Sequence, residues 1–284
     1  LPAGDQVTNV GFGDADGKGL YIGTYRSLYK LRMKRSAWDA VPRPAAPVPA
    51  PQISAGVPRF EFDPSWPKPL PNNWVLGEVA GVGVDARDHI WVTNRPLSHT
   101  EFNFAACCSP APSILEFDQA GNVLHAWGGD NYHPGWPGRL QSLGVDRDEN
   151  VYLSGTTPGD SIIKFSKDGK FLWDFGHRGP KVPAAQVKQN NQQTDIFPPG
   201  IGSFELDEDA REIFISDGFL NKRILVYDMD SGAFKRGWGG HGIPLSEIDN
   251  DPTPDYDISG PPPDQKQFAP ALHCVHFSRD GLVY

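Results

Sequence analysis

Short runs in which apolar and polar residues alternate cover most of this chain, and turns rich in glycine, aspartate and asparagine separate the runs. The clearest example is residues 212–228, where Ile213 and Ile215 alternate with Phe214 and Ser216 ahead of a polar turn. A period of two, bounded by turn residues, is typical of strand-turn-strand units. The chain is therefore predicted to consist largely of antiparallel strands.

The strand pattern also repeats. Asp85, Asp146 and Asp207 recur at equal intervals, and each closes a short apolar strand. Complete repeats are predicted at 81–128, 142–176 and 203–239, and a fourth begins at 274–278. The last of the four strands in each repeat ends in an aromatic residue followed by glycine, as in Trp127-Gly128. Radially stacked four-stranded units form a β-propeller, so the predicted fold class is all-β with four-stranded antiparallel blades.

The composition divides the chain into three segments. Residues 1–33 show three strands, residues 34–58 are rich in proline and alanine, and residues 59–284 carry the repeats. Proline removes a backbone donor, so the middle segment is predicted to be an extended spacer between two domains. Both ends look cut, because Tyr284 falls inside a strand pattern and Leu1 has no start signal. We therefore expect a fragment of a longer protein.

All four strands and both kinds of glycine turn recur in residues 79–284, and in this they resemble the NHL-repeat family. The resemblance implies a propeller with six blades when complete, and hence one that is truncated here. Residues 1–33, with Phe12-Gly13 in their first strand, resemble the final blade of the SMP-30/gluconolactonase family. That resemblance implies a lactonase-like propeller upstream. Residues 60–63 are interpreted as the outer strand of the last blade, which closes the ring.

Net charge narrows the range of partners. The formal charge is −9 at pH 7. Nucleic acid is not expected as a partner, because phosphate binding needs a basic face. The same charge argues against an anionic membrane surface, and the sequence has no apolar run long enough to cross a bilayer. A small molecule, a peptide or another protein is the expected partner.

The three cysteines leave two alternatives open. Cys107 and Cys108 are adjacent, and Cys274 is remote. Adjacent cysteines are not expected to bond to each other, because the ring would be strained. One of them could pair with Cys274, which would imply an oxidising compartment; otherwise all three are free thiols. A periplasmic or extracellular location is expected.

The longest connections between strands all fall at equivalent places. They join a second strand to a third, or a fourth strand to the next first strand, at 95–112, 129–141, 177–202 and 240–273. In a propeller these connections share one face, and long loops on a rigid scaffold usually carry function. A ligand pocket is therefore predicted at the axial mouth of that face. It would be lined by the residues that precede first strands, namely Ala80, Gln141, Gly202 and His273.

His273 and Arg95 are the main candidates at this mouth. Imidazoles from different blades converge on the axis, where they could hold a metal ion. The alternative is a hydrogen-bonded His273 beneath the loop 240–272. Arg95 could clamp a substrate carboxylate, or it could form a salt bridge with a loop carboxylate. Asp217 and Arg223 are interpreted mainly as blade architecture.

The order of Arg95, Gln141, Leu143, the segment 216–224 and His273 is similar to that in the peptidyl-α-hydroxyglycine α-amidating lyases. This resemblance implies a zinc ion held by three axial histidines and a calcium ion held partly by backbone carbonyls. It also implies an arginine and a tyrosine beside the substrate. It places His273 and Gln141 at zinc positions and Arg95 at the position of the arginine.

The same resemblance places Val82 and Leu143 at calcium carbonyl positions. The chain departs from the family pattern at Gln141, which replaces a zinc histidine, and at Phe219, which replaces the tyrosine. An amide is a weaker zinc ligand than imidazole, and a phenyl ring cannot transfer a proton. Calcium is therefore expected ahead of zinc, because carbonyl ligands do not depend on side-chain identity.

The sequence is compatible with three functions. The first is a metal-binding propeller that acts as a lyase or hydrolase on a small molecule or peptide at the axial mouth. The second is a non-catalytic module that binds a protein, peptide or glycan on the long-loop face. The third is an accessory domain of an upstream lactonase. Fold class alone decides none of them.

Overall fold

A computed structural model describes residues 7–14, 18–24, 27–33, 60–98, 104–157, 160–175, 186–197, 200–251, 267–268, 272–278 and 282–284. The predicted spacer at 34–58 lies outside these residues. The chain divides into two compact units, Leu1–Gly129 and Asp130–Tyr284. Each unit is described by itself.

The first unit contains two four-stranded antiparallel sheets. The first sheet consists of β1 (Val7–Gly13), β2 (Gly19–Thr24), β3 (Leu28–Met33) and β4 (Phe60–Phe62). A short strand β5 (Trp74–Val75) pairs with a later one, β8 (Ser109–Pro110). The second sheet consists of β6 (Glu78–Val84), β7 (Ile90–Arg95), β9 (Ile114–Phe117) and β10 (Val123–Trp127). The helices are a 3-10 turn at Pro71–Asn73 and α1 (Phe104–Cys107).

The second unit contains two further sheets of the same kind. The third sheet consists of β11 (Leu140–Val145), β12 (Val151–Gly155), β13 (Ile162–Phe165) and β14 (Phe171–Phe175). The fourth consists of β15 (Ser203–Asp207), β16 (Glu212–Asp217), β17 (Arg223–Asp228) and β18 (Phe234–Trp238). Two 3-10 turns follow, Gly240–Gly242 and Leu245–Glu247. The described residues thus confirm the predicted all-β fold built from four-stranded antiparallel blades.

The core of the first unit draws on both of its sheets. Tyr21 from β2 packs in one apolar cluster with Val82 from β6 and Val92 from β7. Trp66 joins this cluster, with its ring centroid 4.9 Å from that of Tyr21 and 5.7 Å from that of Phe117. Each fully buried side chain of this size contributes roughly 1.5–3 kcal/mol of hydrophobic stabilisation. The two sheets are therefore held together by a shared core.

This packing differs from the sequence-based division into residues 1–33 and 59–284. The strand at 60–62 is hydrogen-bonded to the strand at 28–33 and completes the first sheet. The physical reason is that three strands alone leave an unpaired edge and an uncovered apolar face. Residues 60–63 were expected to form an outer strand and do so, but the blade is the one that begins with residues 1–33. The resemblance of that segment to SMP-30/gluconolactonase stays a prediction.

The repeated aspartates stabilise the turn between the first and second strands of a blade. The Oδ1 atom of Asp85 accepts hydrogen bonds from the backbone N–H groups of Arg87 and His89, both at 2.9 Å. Asp146 accepts the equivalent pair at 3.1 and 2.8 Å. A carboxylate that satisfies the backbone two residues further on is the usual device for such turns. These aspartates therefore have an architectural role as well as a charge.

Candidate functional site

Two of the predicted mouth residues meet in the second unit. Gln141 lies on β11, and its Nε2 atom is 3.1 Å from Nε2 of His273. The backbone beside this pair is also fixed, because Ser216 Oγ donates to the carbonyl oxygen of His273 at 2.9 Å. Both side chains of the pair remain accessible to solvent. The amide and the imidazole can therefore reach a ligand at this mouth.

The thiol of Cys274 adjoins the same imidazole. The Nδ1 atom of His273 lies 3.2 Å from Sγ of Cys274, which is an exposed free cysteine. Hydrogen bonds from His273, and then from His276, lower the pKa of Cys274 to about 6. The hydrogen bond with the thiol in turn raises the pKa of His273. Thiolate rather than thiol is the nucleophilic form of cysteine, and neighbouring imidazolium groups favour it.

His276 does not join His273 in a metal site. Its Nδ1 atom lies 3.2 Å from Oε2 of Glu205 on β15. The hydrogen bond with Cys274, followed by the one with Glu205, raises the pKa of His276 to about 10. His276 is thus protonated at neutral pH and adds positive charge beside the thiol.

Phe219, at the position where the resemblance implies a tyrosine, lies against His273. The two ring centroids are 5.5 Å apart, and the planes are nearly perpendicular. This edge contact can orient the imidazole, but the ring carries no hydroxyl. Phe219 therefore cannot donate or accept a proton at this position.

The remaining predicted site residues are placed as follows. Arg95 lies at the end of β7, and its Nη1 atom is 2.6 Å from Oε2 of Glu78 on the paired strand β6. This is the ion-pair alternative weighed above, although the partner is a strand residue and not a loop residue. Val82 and Leu143 are buried in the first strands of their sheets. Arg95 and Val82 belong to the first compact unit, whereas Leu143 belongs to the second, as do the residues around His273.

Asp217 and Arg223 form a fully buried ion pair, in agreement with an architectural role. Arg223 Nη2 lies 2.7 Å from Asp217 Oδ2, and both side chains are 0% exposed. Asn221 also donates to Asp217 Oδ2, at 2.8 Å. Burial raises the pKa of Asp217, and the charge of Arg223 opposes that rise. The pair fixes the turn that carries Phe219.

The described residues do not complete the zinc set that the resemblance implies. Around His273 they offer one imidazole, the amide of Gln141 and the thiol of Cys274, and both ring nitrogens of that imidazole are already in polar contacts. Catalytic zinc normally takes three ligands from histidine, cysteine and carboxylate side chains, and an amide is not among them. The described residues at this mouth therefore do not fit a catalytic zinc ion.

Sequence reasoning missed a different cluster, on the second sheet. Asp85, His89 and Glu116 each offer one ligand atom, and these atoms all lie within 4.8 Å of one another. They form a candidate metal-binding triad of two carboxylates and one imidazole. The sequence did not indicate Glu116 as a ligand, because it lies within the apolar strand β9 and resembles the polar residue of any alternating strand pattern. Only the pairing of β7 with β9 brings it to the aspartate turn.

The cysteine prediction was wrong. Cys107 and Cys108 are bonded to each other, and Cys274 is free. The chain itself holds two adjacent sulfurs together, so this bond closes no long loop. The bond joins the last residue of α1 to the residue that precedes β8. The expected periplasmic or extracellular location stays a prediction.

Comparisons with known proteins show no family for this chain. No family model matches the sequence, and no curated protein matches it. None of the helices in the described part of the chain has the length and apolar character needed to cross a bilayer.

Several solved structures are similar in fold. A protein of unknown function from Bacteroides caccae is 9% identical, with a TM-score of 0.45, and the match covers 84% of this chain and 62% of that one. Hydrazine synthase from Kuenenia stuttgartiensis is 12% identical, with a TM-score of 0.46 and coverage of 81% and 48%. YCF48 from Cyanidioschyzon merolae is 11% identical, with a TM-score of 0.46 and coverage of 83% and 56%. The chain thus spans less than two thirds of each of these structures.

Proposed function

We propose that this protein is a metal-binding β-propeller of the NHL-repeat type that binds a small molecule or peptide at its axial mouth and acts on it as a hydrolase. The observation that carries the proposal is the exposed group formed by Gln141, His273 and Cys274. The strand β11 and the segment 272–278 of the second unit bring an amide, an imidazole and a thiol of lowered pKa to one place. A lyase reaction is less supported, because Phe219 lacks the hydroxyl that the amidating-lyase pattern implies.

Each member of the group has a role in this proposal. The thiolate of Cys274 attacks an acyl carbon of the ligand, and a thioester forms as the leaving group departs with a proton from His273. Water then hydrolyses the thioester, and the imidazole takes up the proton. Gln141 holds the ring through Nε2. The role of Arg95 as a clamp for a ligand carboxylate stays a prediction, since its observed partner is Glu78 within the first unit.

Labelling and hydrolysis together test the proposal. Iodoacetamide at neutral pH is expected to modify Cys274 first, and His273→Ala should slow the labelling on the order of tenfold as thiolate stabilisation is lost. A panel of small esters, thioesters and lactones should be hydrolysed by the wild-type protein and not by Cys274→Ala. Hydrolysis that survives this substitution would refute the proposal. The His276→Ala variant shows which imidazole activates the thiol.

A non-catalytic binding module is the second candidate. Gln141 and Phe219 favour it, because neither side chain transfers protons. Peptide or glycan binding that survives Cys274→Ala, without hydrolysis in any variant, would support this candidate. Elemental analysis of wild type and His273→Ala addresses the expected metals. Zinc that disappears in the variant would indicate a metal at the mouth, whereas calcium that persists would indicate a structural ion elsewhere.

A further inference from the structure

The aspartate turns of the first and third sheets each hold a lysine. In the first sheet Lys30 Nζ lies 3.1 Å from Oδ1 of Asp14, and in the third Lys164 Nζ lies 3.1 Å from Oδ2 of Asp146. All four side chains are largely buried. In both sheets the lysine is paired across the strands with a tyrosine, which hydrogen-bonds to the same aspartate. The buried carboxylate is thus balanced by an ammonium group at a fixed register.

The second sheet places a glutamate at that register. Glu116 pairs with Trp91 as the two lysines pair with their tyrosines, and Trp91 Nε1 donates to Asp85 Oδ2 at 3.1 Å. Glu116 is 0% exposed and Asp85 6% exposed. Two carboxylates therefore replace a carboxylate and an ammonium in the same buried location. Burial of like charges is unfavourable unless a cation compensates it.

The surrounding groups approach this pair of carboxylates but do not reproduce the ammonium. Arg87 Nη2 lies 3.7 Å from Asp85 Oδ2 and donates to Glu116 Oε1 at 3.5 Å, which is long for a hydrogen bond. His89 Nδ1 contacts Glu116 Oε1 at 2.6 Å, and His125 Nδ1 contacts Oε2 at 2.5 Å. An imidazole nitrogen and two carboxylate oxygens therefore converge where the other sheets hold the ammonium.

We infer that the second sheet binds a divalent first-row transition-metal ion through Asp85, His89 and Glu116, in the place that a lysine ammonium takes in the first and third sheets. The three ligand atoms already lie within 4.8 Å of one another. One imidazole with two carboxylates suits zinc, manganese or iron, whereas calcium prefers oxygen alone. The metal replaces the proton between His89 and Glu116. His125 then orients Glu116 from outside the coordination sphere.

This site is independent of the axial mouth. Its residues lie in the first unit, at the turn between first and second strands and on β9 and β10, whereas the group around Cys274 belongs to the second unit. The ion holds the turn to the third strand, so its role is to stabilise the blade. The metal site on the second sheet therefore does not depend on whether the protein is a hydrolase.

The first and third sheets supply the matched variant for a test. Glu116→Lys recreates their arrangement of lysine and aspartate, so it should fold and lose the metal. Protein stripped with EDTA and dialysed against Zn²⁺ is expected to retain about one ion per chain at this site. Isothermal titration should show the affinity for Zn²⁺ falling on the order of 100-fold in Glu116→Gln and about tenfold in His125→Ala, which alters only an outer partner. His273→Ala is the control for the mouth and should bind Zn²⁺ at the triad as wild type does.

Thermal unfolding gives the second measurement. EDTA is expected to lower the Tm of wild type and of His273→Ala, and to leave that of Glu116→Lys unchanged. Wild-type protein without high-affinity Zn²⁺, or Glu116→Gln with unchanged affinity, would overturn the inference. The histidines and Arg87 would then be the counter-charges that the described residues provide. If Glu116→Lys does not fold, the titration of Glu116→Gln still decides the question.

Discussion

Removal of the Arg223 guanidinium is expected to destabilise the second unit strongly. Its Nε and Nη2 atoms contact Asp217 Oδ2 at 2.8 and 2.7 Å, and Nη1 donates to the carbonyl of Asn191 at 2.7 Å. A fourth bond reaches the carbonyl of Ile196 at 3.2 Å. Arg223→Met preserves much of the apolar volume but leaves a carboxylate with 0% exposure, and Asn221 is then its one remaining partner among the described residues.

The expected magnitude follows from the uncompensated charge. Loss of one partner of a buried ion pair typically costs about 3–5 kcal/mol. The Oδ1 atom of Asp217 already has no hydrogen-bond partner among the described residues, so nothing there offsets the loss. Such a cost lowers the Tm of a unit this size by roughly 6–20 °C.

Urea unfolding of a double-mutant cycle is the assay. Asp217→Ala removes the stranded charge, so the double variant with Arg223→Met should be less destabilised than the sum of the two single variants, by at least ~1 kcal/mol. A single Arg223→Met variant within ~1 kcal/mol of wild type would refute the reasoning. Strictly additive single effects would refute it as well, because the pair would then not be coupled.

Three further predictions concern other parts of the chain. The hydrogen bond from Arg236 is the main cause of the lowered pKa of Glu212, which is about 2 against 4.5 for a free side chain. The Glu212 carboxylate therefore stabilises the fold above pH 4.5, and this stabilisation disappears as the pH falls towards 2. Because the guanidinium is exposed, the contribution is discounted, and acid titration of the free energy of unfolding should show about 1–2 kcal/mol less pH dependence in Glu212→Gln than in wild type. Gly218→Ala should lower the Tm, because its Cβ would meet the carbonyl oxygen of Leu272 at 2.2 Å; an unchanged Tm would show that this segment can move away. Thiol counting in denaturant should rise by two upon reduction, since the bond at 107–108 is the only disulfide among the described residues, and a constant count would contradict it.

The repeat, the strand boundaries and the aspartate turns were predictable because each depends on local pattern. Period-two alternation sets the strands, and glycine and aspartate set the turns. The sequence also placed Gln141 and His273 at one mouth, because they occupy equivalent positions of two repeats, and their side chains are in contact. Their role as metal ligands stays a prediction.

What escaped prediction depends on pairing between distant strands. Glu116 is unremarkable in sequence, and its importance arises only when β9 places it beside the turn of Asp85. The membership of residues 60–62 in the first sheet is likewise a long-range pairing. The prediction that Cys107 and Cys108 are not bonded to each other was wrong for the opposite reason, because a general expectation about ring strain was applied to a local feature.

The register occupied by Lys30, Glu116 and Lys164 has a consequence for how such a protein can change. The strand pairing at this position is the same in the three sheets, whichever charge it carries. Exchange of glutamate for lysine can therefore convert a blade that depends on an external ion into one that does not, with no alteration of the strands. The reverse exchange also needs an imidazole at the position of His89, where the third sheet has Asn150. Ion dependence in this architecture can be gained or lost one blade at a time, and the stability of each blade can respond separately to the metal supply of its surroundings.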